Sequence, residues 1–353
     1  MIALYVMAAV LILLLMITIH EAGHYTAGKL LGFGIEEFSV GMGPRLLSHK
    51  TKSGEDISLR VLPLGGYCAF TGEDEEAVPS EEDAVTDSRA LPFSAQKPWK
   101  RIVVLAAGPL FNMLSAFVFS FIYIIAAGYS LTVVTDISAD GGAYLSGLER
   151  GDVITAVDGR EITFLDTAAE LLGEAEGDTV LTVERGGRLV DIRAEKKDGK
   201  FGITLTYERR SIDALHAAGY SFPYTFELSG AIVRSFGMLL TGGVPLTDVT
   251  GPVGTVVTIA GYAERNALYF LLFLPLIASN LAIFNLLPIP ALDGSRIIFA
   301  LIELIRRKPI NKKVEGAIHT AGLIILLALV AAVDIAAVSY THLRAHETLS
   351  DRV

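Results

Sequence analysis

Four stretches of the chain are strongly apolar, three of them without any charge, and are long enough to cross a bilayer as helices. Residues 2–19, IALYVMAAVLILLLMITI, run straight into HEAGH. Residues 102–128, IVVLAAGPLFNMLSAFVFSFIYIIAAG, form the second stretch. A third covers about 267–290 and is interrupted by Pro275, Pro288 and Pro290, and a fourth covers about 317–338. A spanning helix needs about 20 predominantly apolar residues, so the pattern predicts four transmembrane helices with both chain ends on one side. The first run has neither a basic segment before it nor a small-residue cleavage site after it, so it reads as a span rather than a signal peptide.

Between the spans the pattern changes. Residues 33–70 alternate or run apolar with Gly and Pro punctuation, as in FSVGMGPRLL and ISLRVLPLGGYCAF, and read as a β-hairpin. Two placements fit: a sheet dipping into the bilayer beside the spans, or a small hairpin at the cytoplasmic surface. Backbone outside helices survives at membrane depth only when it is buried in protein or lines a cavity. Residues 73–89, EDEEAVPSEEDAVTDSR, are acidic, without hydrophobic periodicity, and read as a solvated loop. From about 130 to 208, the short strands LTVVTDI, DVITAVDG, TVLTVER and FGITLTYE and one helix, FLDTAAELLGEA, predict a separate β-rich domain. Residues 209–266 read as amphipathic helices on the outer membrane surface.

Composition agrees with this picture. Of 353 residues, 52% are hydrophobic and only 19% charged, where a soluble chain would carry about a quarter charged. The formal charge of −10 gives no basic footprint for nucleic acid. The lone cysteine, Cys68, excludes an intramolecular disulfide. Lys97, Lys100 and Arg101 precede the second span. Arg296, Arg306, Arg307, Lys308, Lys312 and Lys313 lie between the third and fourth. Both clusters fall on one side, which should be cytoplasmic, so the 129–266 segment should face outward.

The chemistry concentrates at the end of the first span. His20, Glu21 and His24 form H-E-x-x-H. On a helix, residues four apart share a face, so both imidazoles can bind one zinc ion (Zn2+) while Glu21 takes a proton from water. Ionisable groups at membrane depth are costly and read as functional. A catalytic zinc needs a third protein ligand and an open position. His49, His216, His319, His342 and His346 are candidates, but Asp293 in NLLPIPALDG is better placed, because two prolines there can turn the chain back toward the interior. Asn280 and Asn285 on the third span would either bond helix to helix or hold a substrate backbone near the metal. Asn112 in AGPLFN poses the same choice and reads as packing.

Together, HEAGH, FSVGMGP, PWKRIVVLAAGPLFN, the motif AYLSGLERGDVITAVDGREI and NLLPIPALDG resemble the site-2 proteases. More narrowly, they resemble the bacterial regulator-of-sigma intramembrane zinc metalloproteases. The resemblance runs from about residue 1 to about 337 and implies the following. The fold would be an α-helical integral membrane protein with four transmembrane helices, a membrane-associated β-hairpin element and an inserted β-rich PDZ domain at 129–208. His20, His24 and Asp293 would be zinc ligands and Glu21 the general base. Asn285, Asn280 and the loop with Gly41 and Gly43 would contact substrate, presented as a strand. Substrates would be single-span membrane proteins, such as anti-sigma factors or signal-peptide remnants, cut in the lipid bilayer of the bacterial plasma membrane. The PDZ domain would face outward and the active site toward the cytoplasm. The chain departs from the family at Ser295, where a second glycine is usual, and in an atypical tail at 339–353. A membrane scaffold without activity is the rival reading; the intact His20, Glu21, His24 and Asp293 argue against it. A zinc transporter would need more ionisable residues within its spans.

Overall fold

The computed structural model describes residues 2–73, 92–163, 167–243, 251–266 and 268–350, with the backbone alone for 334–350. The acidic stretch predicted as a loop therefore lies, but for Glu73, outside the described residues, as do the side chains of the tail. In chain order the elements are α1 (Ile2–Leu31), β1 (Ile35–Lys50), β2 (Asp56–Phe70), α2 (Pro98–Ala127), β3 (Tyr129–Ile137), β4 (Val153–Val157), β5 (Arg160–Glu161), α3 (Ala168–Glu174), β6 (Thr179–Arg185), β7 (Arg188–Ala194), β8 (Ile203–Arg210), α4 (Ala214–Leu240), α5 (Pro252–Arg265), α6 (Leu268–Leu286), α7 (Asp293–Arg306) and α8 (Lys312–Ser350). They divide into two units, residues 1–119 with 229–353, and residues 120–228.

The first unit carries helices long and apolar enough to cross a membrane within α1, α2, α6 and α8, as the four apolar runs predict. The protein is a multi-pass membrane protein. At 1.5 Å per residue, α1 is about 45 Å long and exceeds a hydrocarbon core of about 30 Å. HEAGH therefore continues the spanning helix without a break. Ala9, Met16, Ala116, Ile259, Ile277 and Ala278 form the buried seam of α1, α2, α5 and α6. Large apolar side chains on the outer faces, such as Leu4, Leu11, Leu114 and Val118, stay exposed, as lipid-facing positions do.

β1 and β2 form one sheet. The first part of β1 has neighbours on both sides. Phe38, Ser39 and Val40 sit opposite Cys68, Tyr67 and Gly66, and also beside Ile57, Ser58 and Leu59. The second part, Arg45 to Lys50, lies opposite Arg60 to Asp56. The segment 66–70 is thus an outer edge. Gly41 makes this doubling possible: its φ is +85°, and a Cβ there would lie 2.7 Å from the Leu62 carbonyl oxygen. Underneath, Phe33, Phe70 and Phe93 pack with ring centroids 5.2–5.7 Å apart.

Glu37 ties the sheet together. Its carboxylate is buried and accepts hydrogen bonds from Ser58, from Tyr67 at 2.8 Å, from Arg60 at 2.9 Å and from Arg45 at 3.0 Å. Burial opposes ionisation, but these donors outweigh it and hold the group down to about 2. Its folded value lies below the ordinary 4.5, so its stabilisation is complete above that pH and is lost as pH falls toward about 2. Glu37→Gln should destabilise the protein by about 1–3 kcal/mol at neutral pH. The gap in Tm from wild type should stay constant between pH 7 and 5 and close at lower pH. A gap independent of pH down to 3 would remove the ionised carboxylate from the account.

The second unit holds the predicted β-rich domain. Its sheet has the order β7-β6-β4-β3-β8, with β5 beside β4. Leu181, Val183, Val134, Ile154 and Leu171 centre its core. Strands β5 and β7 are additional to the four predicted; RLVDIRA in β7 is largely exposed, so its weak apolar pattern hid it. The α3 helix starts at a capping box, in which Thr167 and Glu170 each bond the other's backbone N–H. Asp152, buried at the start of the β4 hairpin, is held by Arg185 Nε at 2.7 Å.

The interval between the third and fourth spans differs from expectation. It contains α7, 14 residues long, where the sequence reading had a basic loop. Ile298, Leu301, Leu304 and Ile305 are exposed, whereas Gly294, Ser295, Ala300 and Glu303 are buried. This two-faced pattern was masked by the charges that follow it.

Candidate metal centre

His20 and His24 lie one turn apart on α1, and both are buried. Their Nε2 atoms face each other at 3.2 Å. Asp293, the first residue of α7, brings Oδ2 to 3.0 Å from His20 Nε2 and 3.3 Å from His24 Nε2. Among the described residues these three form a group able to hold a metal ion. Tetrahedral ligands about 2.0–2.1 Å from zinc sit about 3.3 Å apart, which is the spacing found here. Asp293 Oδ2 is buried and makes no well-aligned hydrogen bond. Three donor atoms of the type zinc takes thus converge on one point, and the donor set fits zinc.

Local sequence explains how two segments separated by more than 260 residues meet. Pro288 and Pro290 end α6 and keep the chain extended. Ala291 then adopts φ +77°, a left-handed conformation that costs a non-glycine residue on the order of 1 kcal/mol. Its N–H donates to His319 Nδ1 at 3.2 Å, on α8. A Cβ at Gly294 would lie 2.3 Å from the Leu287 carbonyl oxygen, and one at Gly322 would lie 2.2 Å from Pro290 Cβ. Only glycine lets α7 start this close to the end of α6, and only glycine lets α8 close over the turn. Ser295, the departure from the family pattern, donates from Oγ to the Leu292 carbonyl at 2.8 Å and closes the same turn.

α7 is pinned at its far end as well. Arg101 on α2 pairs with Glu303, and both side chains are nearly buried. Glu303 also accepts the Ile310 N–H at 2.8 Å. Arg101, one of the basic residues before the second span, is thus buried in an ion pair. Arg296, one turn beyond Asp293, pairs with Glu73 and lies 5.5 Å from the Phe93 ring centroid. Neither Glu37 nor Glu303 carried a sequence signal, because a lone glutamate beside apolar residues looks like surface until its partners are placed.

Glu21 sits beside His20 and is half-buried. Its carboxylate accepts the Cys68 backbone N–H, and a Cβ at Gly66 would lie 3.8 Å from its Cγ. The outer edge of the sheet therefore runs past Glu21. Asn285 donates to the Leu281 carbonyl at 3.0 Å on its own helix, and Asn280 is exposed. Gly43 has φ +83° and lies in the exposed half of β1. His49 is exposed on β1, His216 bonds Asp213, and His319 braces the Ala291 turn; none joins the cluster. Asn112, read as packing, is fully buried with Nδ2 3.3 Å from His20 Nδ1.

The model of peptidase family M50 matches residues 8–329. A Clostridium perfringens protein named "Putative zinc metalloprotease" is 33% identical over 340 residues, 94% of this chain and 97% of its own length. A Fusobacterium nucleatum protein of the same printed description is 31% identical over 330 residues, 90% of this chain and 94% of its own. One from Campylobacter jejuni is 31% identical over 341 residues, 92% and 90% of the two chains. With a match across nearly its whole length that takes in both halves of the His-His-Asp cluster, the chain belongs to peptidase family M50 and is a zinc metalloprotease.

Proposed function

We propose that the protein is an intramembrane protease of the site-2 type, closest in kind to the bacterial regulator-of-sigma enzymes. In this reading it cuts single-span membrane proteins, such as anti-sigma factors or signal-peptide remnants, within their spans. The observation that carries it is the meeting of His20, His24 and Asp293 at the membrane-spanning helix α1, with Glu21 alongside. His20, His24 and Asp293 are the zinc ligands. Zinc held there supplies Lewis acidity, polarising a peptide carbonyl and making water a stronger acid. Glu21 takes the proton of the attacking water and delivers it to the leaving amide nitrogen as the C–N bond breaks.

A helical substrate shields its carbonyls and must unwind before attack. The 66–70 edge beside Glu21 offers backbone groups to which an unwound segment can add as a strand. Gly41 and Gly43 shape that sheet, and Asn285 and Asn280 hold the substrate backbone from the α6 side. The exposed Met42, Leu46, Leu47, Leu59, Val61 and Leu62 support a sheet dipped into lipid rather than one standing in water. The 129–208 domain is a PDZ module, faces outward and screens substrates for an earlier cut, and the site opens toward the cytoplasm.

The test is cleavage of a single-span reporter by purified protein in proteoliposomes, with product masses locating the scissile bond. A bond within the span is expected; cuts confined to the reporter's soluble flanks would overturn the reading. Deleting 129–208 should leave cleavage of a short pre-trimmed substrate within a few-fold and raise cleavage of the untrimmed one. Loss of both activities in a folded deletion would make the domain structural, not a screen.

A further inference from the structure

The carboxamide of Asn112 is fully buried on α2, yet its Oδ1 has no hydrogen-bond partner among the described residues. Its Nδ2 instead faces His20 Nδ1 at 3.3 Å. An unpartnered buried amide oxygen costs about 1–3 kcal/mol. The two ends of a carboxamide have almost the same shape, so their assignment follows from the hydrogen-bond network.

The neighbours decide that assignment. His20 Nε2 points at Asp293 Oδ2 and His24 Nε2, into the cluster. A neutral imidazole that gives Nε2 to a metal carries its proton on Nδ1. An Nδ1–H facing an amide N–H would set two donors against each other. Turning the carboxamide by 180° places Oδ1 against that proton and gives the His20 Nδ1–H an acceptor. His24 already has the matching arrangement: its Nδ1 lies 2.8 Å from the Val104 carbonyl oxygen, also on α2.

We propose that Asn112 is a positioning residue for the metal site: its Oδ1 accepts the Nδ1 proton of His20 and so presents Nε2 to zinc. One helix that supplies no ligand then orients both imidazoles. Gly108, four residues before Asn112 on α2, makes this approach possible, because a Cβ there would lie 2.5 Å from His24 Nε2 and 2.9 Å from His20 Cε1. Gly23 does the same from α1, where a Cβ would meet the Ala107 carbonyl oxygen at 2.3 Å. The G-x-x-x-N spacing of AGPLFN is thus a close approach followed, one turn later, by an acceptor.

This inference rests on the zinc-ligand reading above, and the experiment separates the two. Zinc affinity of the purified full-length protein is measured by competition with a chromophoric chelator, for wild type, Asn112→Leu and Asn112→Asp. The cobalt-substituted proteins report ligand geometry by their visible absorption. Asn112→Leu keeps the volume without an acceptor and should weaken zinc binding by about 10–100-fold. Asn112→Asp keeps the oxygen and should bind within a few-fold of wild type, with an unchanged cobalt spectrum. Equal affinity in wild type and Asn112→Leu overturns the role of Asn112 while leaving the ligands in place. If Asn112→Leu does not fold, Asn112→Asp decides alone: weakened binding in a folded protein overturns the proposal. Wild type that binds no zinc overturns the ligand reading, and this inference with it.

Discussion

Glu21→Gln is expected to lower cleavage of a single-span reporter by about 10²–10⁴-fold while zinc content stays equal to wild type. The amide matches the carboxylate in size and can still accept the Cys68 N–H, so the local fold should hold. What it cannot do is take a proton from water at neutral pH. His20 and His24 are untouched, and the two functions, holding the metal and moving the proton, separate cleanly in one variant. Reporter cleavage and metal analysis on the same preparation give both readouts. Full activity with full zinc would remove Glu21 as the base; loss of zinc together with activity would mean that Glu21 supports the ligands.

Asp293→Ala and His24→Ala should each lose stoichiometric zinc and with it all measurable cleavage. Each proposed ligand contributes one of three bonds, and the donors lie 3.0–3.3 Å from one another. Asp293→Ala is the more informative variant, because it removes the one proposed ligand outside α1 among the described residues and leaves two imidazoles, which hold zinc far more weakly than three protein ligands. Metal analysis of both variants at matched purity is the check. Full zinc in Asp293→Ala would break the link between the first span and the LDG turn.

Much of this was legible in the letters. Four apolar runs could be read as spans because length and hydropathy act locally and need no partner. HEAGH placed two imidazoles on one face because helical periodicity alone sets that spacing. The β-rich domain appeared through alternation and turn residues. Other features were hidden. α7 was concealed because it is too short for a span and charges follow it. Arg101 looked like one more cytoplasmic cation, since nothing local marks Glu303, 202 residues later, as its partner. Asn112 looked like packing because its neighbour His20 lies 92 residues away. Glu37 drew no notice for the same reason: its donors Arg45, Ser58, Arg60 and Tyr67 gather only when the sheet doubles on itself.

The division follows the range of the forces. Hydropathy, helical period and motif spacing operate within a few residues, and from them the spans, the inserted domain and the first half of the metal site can be read. Asp293 was already singled out by the two prolines of NLLPIPALDG, but how it reaches the imidazoles, and which groups orient them, depends on contacts between distant segments. Those contacts exist because Gly23, Gly108, Gly294 and Gly322 let backbones approach where any side chain would collide, and because charges removed from water must find each other across the fold.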